Sequence, residues 1–383
     1  MNIAIFTDTY LPQINGVVTS ICTFQKALEE MGHTIYIICP KMQGANQSTD
    51  KVFRFSSFQY PFQKEYRLSI PYSRKIDDLS DLDIDLIHVQ TPFTLGYLGM
   101  YLANKYQIPA VHTYHTLFIE YVHYFPLIPK KLAQKWFLKE SKRFCNKYAA
   151  IIAPSHEIED HLIDQGVTRP IHVLPSAIDP YIPSEEEIRQ FQDEYDLSER
   201  RCLIFIGRLG KEKNIYFLIE VLDRLRKRYP DILLLFIGDG PERLSMEADI
   251  AERGLQDHVL FTGYLEKPQV FTAIASSVLS TFPSKTETQG LGVIECLSQG
   301  VPSVCIDAMG VKTVLADNQG GVLTKDNPDD YFEAVCRFLD DDEYYKAMSE
   351  SARRRANDFS PNTQAKSILS IYESAIREGV PSV

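Results

Sequence analysis

Short, largely apolar runs recur along the chain, each leading through a glycine or polar loop into a stretch with helical spacing. The first half predicts strands over residues 3–6, 34–39, 86–89, 110–114, 150–153 and 171–174. A loop at 12–16 and a helix at 19–31 follow the first of them. The opening runs are apolar without alternation, which is what parallel strands buried on both faces require. After a polar, Glu-rich stretch the pattern restarts, with strands over 203–207, 233–238, 259–263, 277–281 and 303–306 and a helix over 216–229. The expectation is α/β, with two doubly wound domains facing a cleft.

Three prolines between Pro175 and Pro183 mark the connector. The predicted domains are 1–176 and 177–360. A final amphipathic segment, 361–383, carries Ala365, Ile368, Leu369, Tyr372 and Ile376 at helical spacing and is expected to pack back on the first domain. No internal repeat or low-complexity segment interrupts the scheme.

At 383 residues, 44% hydrophobic and 24% charged, the chain has the composition of a soluble two-domain protein. No apolar run approaches the ~20 residues needed to span a bilayer. The opening Met1-Asn-Ile-Ala-Ile-Phe-Thr-Asp8 lacks a basic leader and reads as a buried strand, so export is not expected. Seven scattered cysteines, none in a Cys-x-x-Cys pair, suggest reduced thiols in cytoplasm. Cys296 beside Glu295 reads as a small buried filler before a nucleophile.

The most informative segment is Glu287-Thr-Gln-Gly-Leu-Gly-Val-Ile-Glu295, where a glycine-broken stretch enters a helix. Two carboxylates can hold hydroxyls of a sugar and a ribose. Gly290 and Gly292 would let backbone N–H groups and a helix N-terminus approach a diphosphate. A plain turn followed by an ordinary helix glutamate is the alternative. Gly207-Arg-Leu-Gly-Lys-Glu-Lys-Asn214 directly follows an apolar run, which puts Arg208 and Lys213 at the carboxyl edge of a parallel sheet, where ligands of such sheets bind. Two cations there suit a diphosphate leaving group better than a helix start, which repels positive charge.

In the first half, Asn15-Gly16-Val17 occupies the corresponding loop after strand one. It lacks the G-x-G-x-x-G of a nicotinamide site, so a dehydrogenase is disfavoured. Gly238-Asp-Gly240 reads as a turn. His115, in His112-Thr-Tyr-His115-Thr, ends its strand at the sheet edge and is the functional candidate; His112 reads as structural and His123 as packing or an acceptor surface. Asp81-Leu-Asp83-Ile-Asp85 could in principle hold a divalent ion but reads as a solvated helix end. No cluster elsewhere has metal-ligand spacing, so no protein-held metal is expected.

Charge is uneven. The net −11 divides into +1 for residues 1–175 and −12 for the rest. Between Phe125 and Tyr148 seven cations (Lys130, Lys131, Lys135, Lys139, Lys142, Arg143 and Lys147) face one anion, Glu140, and interleave with Leu132, Trp136, Phe137, Phe144 and Tyr148. Apolar and basic faces on one helix describe an element that lies on an anionic membrane; a solvated lysine face over a core stripe is the alternative. The acidic second half argues against nucleic acid.

Together, Phe6-Thr-Asp-Thr-Tyr-Leu-Pro-Gln-Ile-Asn-Gly-Val-Val-Thr-Ser20, His112-Thr-Tyr-His115, Gly207-Arg-Leu, Lys213, Gly238-Asp-Gly-Pro241, Phe261-Thr-Gly263 and the Glu287/Glu295 pair resemble retaining glycosyltransferases of the GT-B fold, family four. Two Rossmann-like domains are implied. The opening and the histidine segment are most similar to the branch that glucosylates diacylglycerol in bacterial glycolipid synthesis. The resemblance implies that Glu287 binds donor-sugar hydroxyls and Glu295 the ribose. Arg208 and Lys213 would neutralise the departing diphosphate, helped by N–H groups near Gly290, Leu291 and Gly292, by the Gly16 loop and by Gly263, while His115 meets the sugar beside the anomeric carbon. The chain departs from the pattern at Ser176-Ala177, where family members carry Asn-Gly.

The expected activity is transfer of a hexose, foremost α-glucosyl from UDP-glucose, to diacylglycerol by a cytoplasmic enzyme peripheral on the inner face of the membrane. The donor is a substrate, and no bound cofactor is implied. The alternatives are the same chemistry on phosphatidylinositol, a polysaccharide intermediate or a small molecule, and a sugar-nucleotide 2-epimerase of like fold.

Overall fold

Alternation of apolar strand and amphipathic helix produces two parallel sheets, each with helices on both faces. The computed structural model describes residues 1–13, 15–42, 50–60, 63–71, 81–115 and 130–380. His123, and the part of the basic stretch before residue 130, lie outside the described residues. Contacts divide the chain into one unit of Met1–Ala177 with Pro361–Val383 and a second of Ile178–Ser360.

In the first unit, β1 (Asn2–Phe6), β2 (Thr34–Pro40), β3 (Val52–Phe55), β6 (Leu86–Val89), β7 (Ala110–Thr113), β8 (Ala150–Ala153) and β9 (Ile171–Val173) form a parallel sheet in the order β3-β2-β1-β6-β7-β8-β9. A hairpin of β4 (Ser57–Tyr60) and β5 (Gln63–Ser69) follows β3. Ile3, Ala4, Ile5 and Phe6 are all buried, as a strand covered on both faces demands. The chain builds outward from β1 through β2 and β3, then returns to lay β6 on the other side of β1. That reversal opens a crevice at the carboxyl ends of β1 and β6, the place where open parallel sheets take ligands.

The helix Pro361–Glu378 belongs to this unit, burying Ala365, Ile368, Ile371, Tyr372 and Ala375 in its core. Ser176 is also buried here and accepts the Ser20 hydroxyl at 3.1 Å, so the Ser176-Ala177 departure has its own packing partner.

The second unit has β10 (Arg201–Ile206), β11 (Ile232–Ile237), β12 (Val259–Gly263), β13 (Leu279–Phe282), β14 (Ser303–Ile306) and β15 (Gly321–Thr324) in the order β12-β11-β10-β13-β14-β15. Its reversal lies between β10 and β13. The residues just past those two strands are Gly207 with Arg208 and Pro283 with the loop to Gly290.

Two expectations change. The first helix begins at Gly16 and not at 19, because the Asn15 side chain accepts from Val18 N at 3.0 Å and caps it. Strand β3 escaped the apolar pattern because it contains Arg54, a buried guanidinium that donates to the Leu11 and Pro40 carbonyl oxygens. Residues 81–85 are a turn and extended chain, and the residues just before them lie outside those described. Asp85 accepts from Asn2 N at 2.7 Å, and Asn2 Nδ2 donates to the Asp83 carbonyl oxygen at 2.8 Å, so this acidic run ties off the amino end of β1.

Candidate active site

At the β10/β13 reversal the turn Lys211–Lys213 and the loop 283–290 are stitched together by polar contacts. Asn214 Nδ2 donates to the Pro283 carbonyl oxygen at 3.2 Å, and Thr286 Oγ1 donates to that of Glu212 at 3.1 Å. Asn214 takes φ +53°, a left-handed conformation that asparagine tolerates and that turns the chain into the next helix. The consequence is that Lys213 Nζ meets Glu287 Oε1 at 2.6 Å, although 74 residues separate them. Both side chains keep a little solvent contact. From the other side, the Glu287 carbonyl oxygen accepts from Gly310 N at 2.8 Å.

Arg208, on the same turn, pairs with Glu212 at 3.2 Å; the Glu212 side chain is 2% exposed and that of Arg208 20%. Each of the two predicted cations is therefore braced by a carboxylate.

Gly238-Asp-Gly240 is more than a turn. Gly207 N donates to Ile237 O, Leu209 N donates to Asp239 O, and Gly238 takes φ +124°. A Cβ at Gly238 or Gly240 would strike the carbonyl of Gly207 or Leu209, so these glycines let two loops at the sheet edge interlock. Gly263, φ +72°, ends β12 beside them and its carbonyl accepts from Gly238 N at 2.9 Å.

The helix Leu291–Ser298 starts on Gly290, whose φ of +89° favours glycine. With glycine as cap and no acid in the first turn, the N–H groups of Leu291 and Gly292 have neither an intrahelical acceptor nor a capping side chain. The glycines serve packing as well as access. A Cβ at Gly292 would come within 2.9 Å of the Phe282 ring, and one at Gly290 within 3.0 Å of Val311, so Gly292 lets the helix lie close on the sheet. Glu295 lies one turn further along. Burial pushes its carboxyl up to about 7, with Lys267 acting in the opposite direction. Cys296 beside it is fully buried and its thiol is raised by burial, which fits filler and not nucleophile.

The first unit carries a second cluster at its own reversal. Asp8, just past β1, is buried and accepts from Thr94 Oγ1 at 2.7 Å, Thr91 Oγ1 at 2.9 Å and Leu95 N at 3.1 Å, at the start of the helix Thr94–Tyr106. Burial raises its pKa and those hydrogen bonds oppose the rise. Past β6, the buried Gln90 accepts from His115 Nε2. Burial, then His112, drives His115 down to about 3, so the imidazole is neutral. His112 donates from Nδ1 to the Val89 carbonyl oxygen at 2.8 Å and is driven by burial to about 4; it is structural. Gly16 is exposed at the head of its helix, after Asn15. Asp8 and Gln90 escaped motif reading. The signal was a polar residue within two positions of the end of an apolar strand.

The helix Lys130–Cys145 divides its aromatics in a way the sequence hid. Phe144 and Tyr148 do not share a face with Trp136: Phe144 packs its ring 4.9 Å from Tyr97, 5.1 Å from His112 and 5.1 Å from Tyr148, inside the unit. Leu132 is 66% exposed and Trp136 57%, among exposed Lys131, Lys135, Lys139, Lys142 and Arg143. The side chain of Lys130 is outside the described residues. Among the described residues no helix is long and apolar enough to cross a membrane, and no group of three His, Cys, Asp or Glu is arranged to hold a metal ion.

Family comparison fits this architecture. Residues 14–181 match the model of Glycosyltransferase Family 4, and residues 186–355 that of Glycosyl transferases group 1. The chain is a family-4 glycosyltransferase. This nucleotide-sugar-dependent glycosyltransferase is 29% identical over 333 residues to the alpha-monoglucosyldiacylglycerol synthase of Streptococcus pneumoniae, covering 84% of the chain and 75% of that protein. It is 27% identical over 387 residues to the enzyme of the same name from Acholeplasma laidlawii, covering 97% and 96%. Among solved structures, Anabaena HepE in complex with UDP and glucose aligns with a TM-score of 0.79 over 98% of this glycosyltransferase and 100% of HepE, at 17% identity, which speaks to the GT-B fold alone.

Proposed function

We propose that this glycosyltransferase moves an α-glucosyl unit from UDP-glucose to the free hydroxyl of diacylglycerol, with retention, at an anionic membrane surface. The observation that carries the donor half is the Lys213–Glu287 pair at the β10/β13 reversal, beside a helix start whose N–H groups lack a cap. In this reading Lys213, Arg208 and the N–H groups of Leu291 and Gly292 meet the diphosphate, while Glu287 accepts from sugar hydroxyls and Glu295 from the ribose. Gly263 and the Gly16 loop contribute backbone to the donor, and His115 meets the sugar.

The chemistry is electrostatic. The bond from the anomeric carbon to the diphosphate oxygen breaks, and its electron pair leaves with the UDP. Fixed cations and N–H groups stabilise that charge without having to reorganise. The acceptor hydroxyl attacks from the face the leaving group vacates, giving its proton to the departing diphosphate. Configuration is kept with no protein nucleophile.

The acceptor half is supported by the names of the two bacterial relatives and by the exposed Leu132 and Trp136 among lysines. Such a surface suits an interface of anionic headgroups over acyl chain. Purified protein given a panel of labelled sugar nucleotides, with and without diacylglycerol vesicles, tests both halves. Label from UDP-glucose entering the lipid supports the reading, and label from GDP-mannose alone, or transfer to no lipid, overturns it.

A further inference from the structure

The C-terminal helix returns to the first unit and ends a buried chain of polar side chains that begins at His115. Tyr372, fully buried on that helix, sets its hydroxyl 2.7 Å from His88 Nδ1, with the two rings edge to face at 5.5 Å. His88 Nε2 lies 2.7 Å from Thr113 Oγ1. Gln90 Nε2 is 3.2 Å from both ring nitrogens of His88, and Gln90 Oε1 accepts from His115 Nε2. All of these side chains except His115 are buried.

We infer that Tyr372, His88 and Gln90 are positioning residues that hold His115 in one orientation and as its Nε2–H tautomer. The reason lies in the two ends of the Gln90 carboxamide. His88 has both ring nitrogens engaged by the Tyr372 and Thr113 hydroxyls, and a neutral imidazole has one proton to give. Gln90 Nε2 lies against the His88 ring and Gln90 Oε1 faces His115 Nε2, and an amide oxygen only accepts. His115 must then bring its proton on Nε2. Burial keeps His88, His112 and His115 all below their ordinary range, so no ring carries a second proton to disturb the order. Buried polar chains of this kind are satisfied as a unit, and removing one member disturbs its neighbours. A residue 284 positions from His88 thus sets the orientation of a histidine it does not touch.

The inference rests on the proposed role of His115 at the sugar, and its test separates the two. Uniformly ¹⁵N-histidine-labelled protein, with the His115 signals assigned by comparison with His115→Asn, reports the tautomer directly and needs no activity. Wild type shows one neutral Nε2–H form. Gln90→Leu and Tyr372→Phe are expected to give a mixture of tautomers, and to lower kcat about 5-fold or more, the worth of one hydrogen bond, with little change in the KM for the donor. Gln90→Glu, by setting a carboxylate against His115, is expected to raise its pKa and add an ionisation to the pH–rate profile that wild type lacks. Unchanged tautomer and unchanged kcat in Tyr372→Phe and Gln90→Leu, with only a lower Tm, would overturn the inference. If the tautomer shifts while His115→Asn transfers sugar at the wild-type rate, the network stands and the role of His115 at the sugar falls.

Discussion

Lys213 Nζ and Glu287 Oε1 lie 2.6 Å apart, joining the turn after β10 to the loop after β13 where the second sheet reverses its strand order. Neither side chain is more than 18% exposed. A pair this enclosed interacts more strongly than one at the surface, and each member is costly when left alone. In the proposed function, this pair holds the lysine in place before the diphosphate arrives.

Lys213→Ala and Glu287→Ala are each expected to lower kcat/KM about 100-fold or more, the scale of removing one preorganised polar group from a charged transition state. Each also leaves its partner unpaired, at about 1–3 kcal/mol of stability. The double variant is expected to cost less in stability than the sum, because no unpaired charge remains. Urea denaturation of the four proteins measures this, and strict additivity would contradict the pairing.

Glu295 makes stability depend on pH in an unusual sense for a carboxylate. Its folded pKa is raised from 4.5 to about 7. The folded state therefore binds more protons than the unfolded chain between those values, and stability falls as pH rises through that window. Glu295→Gln removes the effect. Relative to the variant, wild type is expected to lose up to about 3 kcal/mol from pH 4.5 to pH 7.5, by the linkage of about 1.4 kcal/mol per unit. Thermal melts of both proteins across that range check the sign; a wild type that gains on the variant with rising pH refutes it. If Glu295 holds the ribose as proposed, donor binding runs the other way, since only the ionised carboxylate accepts from both hydroxyls.

Gly290→Ala is expected to destabilise the second unit by about 1–3 kcal/mol, since alanine at φ +89° is strained and its Cβ would press on Val311. Calorimetry gives the loss. An unchanged melting temperature would mean that the start of the helix Leu291–Ser298 is not built on this residue.

Changing Lys131, Lys135, Lys139 and Lys142 together to Gln is expected to weaken sedimentation with anionic vesicles, by at most about 1 kcal/mol per cation, and to make the remainder less sensitive to salt. Trp136→Ser should weaken binding at any ionic strength. Unchanged sedimentation of the lysine variant removes the membrane argument.

The α/β class could be read from the sequence because strands such as Ala150–Ala153 and Ser303–Ile306 are buried on both faces and carry only apolar or small residues. Arg54 shows the limit: one buried cation, donating to the carbonyl oxygens of Leu11 in a distant loop and Pro40 at the end of β2, was enough to hide β3. The cations and carboxylates of the second unit stood out as residues following strands, but their pairing did not, since a separation of 74 positions leaves no local trace. Likewise Phe144 and Trp136 look alike as aromatics among lysines. Only the packing of Phe144 against His112 and Tyr97 makes one core and leaves the other at the surface.

The most direct measurement of the central claim is the fate of the anomeric carbon. UDP-glucose labelled with ¹³C at C1, incubated with the protein and diacylglycerol vesicles and followed by NMR, is expected to give α-glucosyl diacylglycerol in step with released UDP. A β-linked product, free glucose as the sole product, or a 2-epimerised sugar with the lipid unlabelled would contradict the account.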